Sequence, residues 1–129
     1  FDQGGGDVNS IHNYFYPLHV HRSGKRVVAL SEFGGIAWPC PSHITSEKAY
    51  GYGTAKTQTD LSFRYEKLVK KSVLPQIRRG LSAIIYTQVS DVEDETNGLL
   101  SYDRKVVKVG ADRMLKIAEA LYGEIKKVK

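Results

Sequence analysis

Two short apolar runs constrain what this chain can fold into more than any other feature. They are Val27-Val28-Ala29-Leu30 and the stretch LSAIIYTQ, Leu81 to Gln88. The first shows no polar alternation and contains two β-branched residues. It is flanked by charge on one side and, after Ser31-Glu32-Phe33, by Gly34-Gly35 on the other, which reads as a strand buried on both faces. Between the two runs the period changes. From Asp60 onward Leu61, Tyr65, Leu68 and Val69 recur at helical spacing, with Lys67, Lys70 and Lys71 on the other side. Strand, loop and helix, then strand again is the alternating signature of parallel α/β units.

The remaining elements fit the same plan. Val8 to Phe15 alternates and carries aromatic and β-branched residues, which predicts a first strand near Ile11–Phe15 ended by Pro17. The central helix has Thr59 as its expected N-cap, is kinked or interrupted at Pro75, and ends at Gly80. A final helix is predicted from about Ala111 to Lys126, with Met114, Ile117, Ala118, Leu121 and Ile125 on its inner face. Asp91 to Asn97 reads as an acidic loop closed by an Asn97-Gly98 turn. The long segment from Gly34 to about Thr59 is rich in Gly, Pro, Ser and Tyr, and a loop of that length carries function or short helices of its own.

The 129 residues, 41% of them hydrophobic, set one domain as the expectation. The net charge of +5 is spread over scattered Lys and Arg with short runs such as Lys126-Lys127-Val128-Lys129. No basic stripe is interleaved with aromatics, so nothing supports a nucleic-acid partner. The single cysteine, Cys40, excludes an internal disulfide framework and any multi-cysteine metal site. No apolar run approaches the ~18–20 residues of a membrane span, and no signal-peptide pattern is present. The chain opens on Phe1 rather than methionine, which predicts a segment of something longer. Gly4-Gly5-Gly6 follows no strand and fits a flexible lead-in better than a dinucleotide fingerprint.

In parallel α/β folds functional groups gather at the C-terminal ends of the strands. Glu32 stands at such an end. His12 and Tyr14 lie at alternate positions on the preceding strand and so face one way, while Tyr86, Gln88 and Asp91 lie on or just past the following strand.

These stretches, HNYFYP, SEFGG and YTQVSDVEDETNGLLSYDRK, resemble in order and spacing the last part of the catalytic barrel of glycoside hydrolase family 2, which includes the β-galactosidases and β-glucuronidases. The resemblance runs from about Asp7 to the final helix. It implies an α/β fold forming the C-terminal portion of a (β/α)8 TIM barrel, about three parallel strands with flanking helices, so that residues 1–129 make a single partial domain. It further implies a carbohydrate substrate, a retaining mechanism, Glu32 as nucleophile and Tyr14 as its hydrogen-bond partner. Where many relatives carry a tryptophan that floors the sugar site, Tyr86 stands here, and this departure leaves sugar preference open.

A retaining glycosidase needs a second carboxyl group ~5–5.5 Å from the first. The family places it directly after an asparagine on the fourth barrel strand, and no Asn-Glu pair occurs in this chain. A barrel takes roughly 250 residues, so 129 hold only its last three units. The chain alone is therefore expected to be inactive, and to self-associate through its two open strand edges. No cofactor and no membrane partner is implied.

Each assignment has a plainer counterpart. Glu32 caps a following turn; Tyr14 and His12 are packed interior side chains. His12, Trp38, Tyr86 and Asp91 are the substrate-binding candidates, with His43 beside Trp38 in the long loop, and a packed loop anchor is the alternative for Trp38. His19 and His21 share the spacing of a metal pair, yet they follow Pro17 with no carboxylate or thiol placed to complete a site, so no metal is expected. Two rival functions remain: a non-catalytic carbohydrate-binding or interaction module of α/β fold, and a doubly wound domain binding phosphate through Gly4–Gly6.

Overall fold

The computed structural model describes residues 2–15, 17–21 and 24–128. Phe1, Tyr16 and Lys129, which belong to the opening, the first quoted stretch and the basic tail, lie outside them. Strands β1 (Val8–Asn13), β2 (Val27–Gly34) and β3 (Leu81–Thr87) form one open parallel sheet in the order β1-β2-β3. The fold is α/β, as the alternation of elements predicts.

β1 starts earlier than expected and stops short of Pro17. Its pairing begins where the Val27 amide donates to the Asp7 carbonyl at 2.8 Å. It ends where the Asn13 side chain accepts from the Phe15 amide at 2.8 Å, a local turn that competes with the ladder. Before β1, the Arg26 guanidinium donates to the carbonyls of Gly5, Gly6 and Val8 and to the Asp2 carboxylate. The glycine-rich opening thus turns carbonyl oxygens toward a cation.

β2 carries the decisive irregularity. Ile11 of β1 faces Leu30, but the next residue, His12, faces Glu32. On the other side Ile84 and Tyr86 of β3 face Leu30 and Phe33. β2 therefore has one residue too many against both neighbours, a bulge at Ser31-Glu32. Ser31 is held there by its hydroxyl, 2.5 Å from that of Ser10 and 3.2 Å from the Ile11 carbonyl it donates to. Val28 and Leu30 point into the helical layer and are 1% and 0% exposed. In a regular strand Glu32, two residues on, would follow them into the apolar layer. The extra residue turns Glu32 to the opposite face and lets Phe33 take the buried place at 2% exposure.

The helices cover one face of the sheet. Helix α1 (Gln58–Leu68) is capped by Thr57 rather than Thr59. The Thr57 hydroxyl accepts from the Asp60 amide at 3.1 Å, and the Asp60 carboxylate reaches back to the Lys56 amide at 2.9 Å. That reciprocal arrangement starts the helix before Thr59. A π-helical turn over Val69–Val73 leads without a break into α2 (Leu74–Ile77), so the helix widens just ahead of Pro75, which has no N–H to give to the preceding turn. Leu61, Tyr65, Leu68, Val69, Val73 and Ile117 pack with Val28, Leu30, Phe33 and Leu81 into one core. Helix α3 (Ala111–Lys126) contributes Ile117, with Met114 and Leu121 packed against the cluster. Ile125, expected inside, lines an open apolar groove with Ile77, Leu81, Ile84 and Leu121 and is left 41% exposed there. The other face of the sheet stays open: Ile85 is 59% exposed.

Candidate functional site

The bulge delivers Glu32 to the open face at the C-terminal end of the strands, beside His12 and Tyr14. The Tyr14 hydroxyl donates to Glu32 Oε2 at 2.5 Å, and His12 Nδ1 lies 3.4 Å from the same oxygen. The Thr87 hydroxyl, at the end of β3, is 3.3 Å from the Tyr14 oxygen. Three parallel strands therefore converge on one carboxylate. The Tyr14 hydroxyl is pushed up to about 12, first by burial and then by its bond to Glu32, so it remains a protonated donor at any physiological pH.

The long loop after β2 supplies a group that the pattern of residues did not single out. The Tyr52 ring lies flat on the Tyr14 ring, centroids 3.7 Å apart and planes within 10°. Phe15 and Tyr50 meet Tyr52 edge-on, each at 6.0 Å. The glycines behind Glu32 are needed for close approach. A side chain on Gly35 would come within 2.8 Å of the Tyr52 ring and 3.2 Å of the Tyr14 ring. One on Gly34 would come within 2.1 Å of the Tyr86 ring. The space these glycines vacate is thus filled by aromatic rings of the protein itself.

The other candidates go elsewhere. Tyr86 faces the helical layer with Phe33, its ring edge-on to Phe33 at 5.5 Å and to Tyr65 at 4.9 Å. Strand alternation then gives the next residue, Thr87, to the Glu32 side. Asp91 is 3% exposed and engaged internally. Lys108, fully buried, donates to its two carboxylate oxygens at 2.8 and 3.0 Å and to the Thr96 carbonyl at 2.8 Å, while the Gly98 amide donates to Asp91 at 2.8 Å. Burial pushes Asp91 up and Lys108 down from their ordinary values, with their mutual bond opposing both shifts.

Trp38 sits over that pair, its ring centroid 5.9 Å from Lys108 Nζ, and its amide donates to the Thr96 carbonyl at 2.8 Å. It anchors the loop against the core. His43 pairs with Asp103 at 2.8 Å, and the Ser101 hydroxyl first, then this imidazole, holds Asp103 well below the usual carboxylate range. His19 and His21 are exposed while Leu18 and Val20, which alternate with them, are buried. Beyond Thr87, Gln88 donates to Asn97 at 2.8 Å and to Glu95 at 3.1 Å, forming a polar cluster next to the Tyr50 loop.

Sequence reasoning found Glu32, Tyr14 and His12, which the structure brings together, and missed Thr87, Tyr52 and Lys108. Thr87 was accessible from strand alternation. Lys108 is flagged by its place inside the apolar run Val106-Val107-Lys108-Val109. Nothing in the loop sequence marks Tyr52. Chemically, the arrangement is a directed carboxylate on an open, aromatic-walled face, with a neutral hydroxyl donor on one oxygen. No protein-family model matches the chain, and no curated protein matches it significantly in sequence.

Proposed function

We propose that this chain is the nucleophile-bearing part of a retaining glycoside hydrolase of family 2 type, three units of a (β/α)8 barrel, acting on O-glycosidic bonds. The observation that carries the reading is the 2.5 Å bond from Tyr14 to Glu32 at the strand ends, made possible by a bulge that keeps the carboxylate out of the core. In the proposed step an oxygen of Glu32 forms a bond to the anomeric carbon while the bond from that carbon to the leaving oxygen breaks, the leaving oxygen keeping the electron pair. An ordinary leaving group also needs a proton from an acid, for which the resemblance points to another barrel strand. Water then releases the sugar from Glu32.

The reading is tested with substrates that need no acid. A 2,4-dinitrophenyl 2-deoxy-2-fluoro-β-glycoside departs as a stable phenolate and leaves a long-lived glycosyl ester. Incubation of the chain with the gluco and galacto isomers, followed by peptide mass spectrometry, should place one fluoroglycosyl group on Glu32 and none in Glu32→Gln. A protein that binds methyl β-glycosides yet never takes the label is the non-catalytic carbohydrate-binding module instead.

A further inference from the structure

We infer that Tyr52 is a positioning residue for Glu32, its ring acting as the backing against which Tyr14 holds its hydroxyl on the carboxylate. The inference rests on Glu32 being the nucleophile, as proposed above. Tyr14 lies one residue past the end of β1, so the sheet ladder does not fix its ring. A phenol hydroxyl at the end of two rotatable bonds sweeps several ångströms between rotamers. The hydroxyl nevertheless meets Glu32 Oε2 at 2.5 Å.

What restrains the ring is the parallel stack with Tyr52 at 3.7 Å. Tyr52 in turn is fixed through its main chain. Its amide donates to the Gly35 carbonyl at 2.8 Å, directly behind the nucleophile. Around it, Ala37 donates to the Gly53 carbonyl at 2.8 Å and Ala55 to the Ala37 carbonyl at 2.7 Å. On the far side the Tyr50 amide donates to the Asp94 carbonyl at 2.7 Å, and the Thr96 amide to the Tyr50 carbonyl at 3.2 Å. The segment is laced to the end of β2 and to the loop after β3 at once. Gly35 is bare where the two rings meet, with a φ of 61° that glycine adopts without strain. The Tyr52 hydroxyl is raised above its ordinary value, first by its bond with Tyr50, then by burial, with smaller contributions from the charges of Glu32 and Glu95.

The experiment follows the Tyr14 hydroxyl itself. The chain carrying 13Cζ-tyrosine is titrated by NMR as the unsubstituted protein and as Tyr52→Ala and Tyr52→Phe, with Tyr14→Phe assigning the signal. Tyr14 should titrate near 12 in the unsubstituted protein and in Tyr52→Phe, and fall toward the ordinary 10 in Tyr52→Ala. In parallel, the rate of fluoroglycoside labelling at Glu32 should drop about threefold to tenfold in Tyr52→Ala, the scale of one stacked pair, and recover in Tyr52→Phe. In a Tyr14→Phe background Tyr52→Ala should cost nothing further. An unchanged Tyr14 titration in a folded Tyr52→Ala, or equal slowing in both backgrounds, overturns the inference while leaving Glu32 as nucleophile. Absence of any label on the unsubstituted protein removes the nucleophile reading, whatever the titration shows, and the inference with it.

Discussion

Replacing Lys108 by Met is the sharpest probe of how the loop after β3 is held. Methionine keeps most of the apolar stem and removes only the charge and its three donated bonds, two to Asp91 and one to the Thr96 carbonyl. Asp91, 3% exposed, is left with the Gly98 amide alone. Removing one partner of a buried ion pair costs ~3–5 kcal/mol because the remaining charge is uncompensated. Against a domain stability of roughly 5–15 kcal/mol this is a large share. Urea unfolding followed by circular dichroism at pH 7 should show it as a reduced midpoint.

The pH dependence gives the sign. The Asp91 carboxyl is raised by burial, so in the folded protein it binds a proton at a higher pH than in the unfolded chain. Its contribution to stability is then full below the ordinary carboxyl value and lost as pH rises through the folded value. With Lys108 gone that effect deepens, so the deficit of Lys108→Met should be smallest in acid and grow toward neutrality. The double variant Asp91→Asn/Lys108→Met should recover most of the loss. A deficit below about 1 kcal/mol at pH 7, or one that does not change with pH, would show that the pair is not the buried charge compensation described by its geometry.

Three further outcomes are expected. Gly34→Ala should destabilise the sheet by at least ~1–3 kcal/mol, since φ is 92° and the new methyl group meets the Tyr86 ring; a thermal melt within a degree of the parent contradicts this. Tyr14, raised to about 12, contributes stability that is whole below pH 10 and lost as pH climbs through 12. Tyr14→Phe should therefore lose less stability than the parent across that interval in matched urea titrations, and parallel curves count against it. Finally, β1 and β3 are the outer strands of the sheet and Ile85 is exposed on its open face. Light scattering from micromolar to near-millimolar protein should therefore show growth in mass, whereas a constant monomer with both outer strands protected from hydrogen exchange argues for a closure by other means.

The parallel order, the three strands and the placing of Glu32 and Tyr14 at one level of the strand ends were legible because each depends on short-range pattern plus one topological rule, while the bond between the two was implied by the family resemblance. α3 was legible to the residue at both ends, from its uninterrupted periodicity. Other features depended on contacts that no local pattern encodes. The bulge is invisible in sequence because Ser31 and Glu32 are both polar, so either could be the outward residue. Tyr86 was assigned to the sugar side by analogy of position, whereas the register of β3 turns it to the helices and gives Thr87 the open side. Asp91 was read as a substrate-binding group; its partner Lys108 lies 17 residues away, across a turn whose closure only the fold supplies. The Thr57 cap lost to Thr59 in the reading because the backward reach of Asp60 to Lys56 was not considered.

The inserted residue in β2 makes the site depend on counting rather than on chemistry. A library of point substitutions at Ser31 will find several residues tolerated, since the position lies between the faces and offers little more than a hydroxyl to Ser10 and Ile11. Single-codon deletions sort by position instead. Removing Ser31 leaves Glu32 directly after Leu30 and still on the open face, whereas removing Phe33 leaves Glu32 two residues after Leu30 and turns it to the helical face. Loss of a residue should therefore be borne before the carboxylate and not behind it.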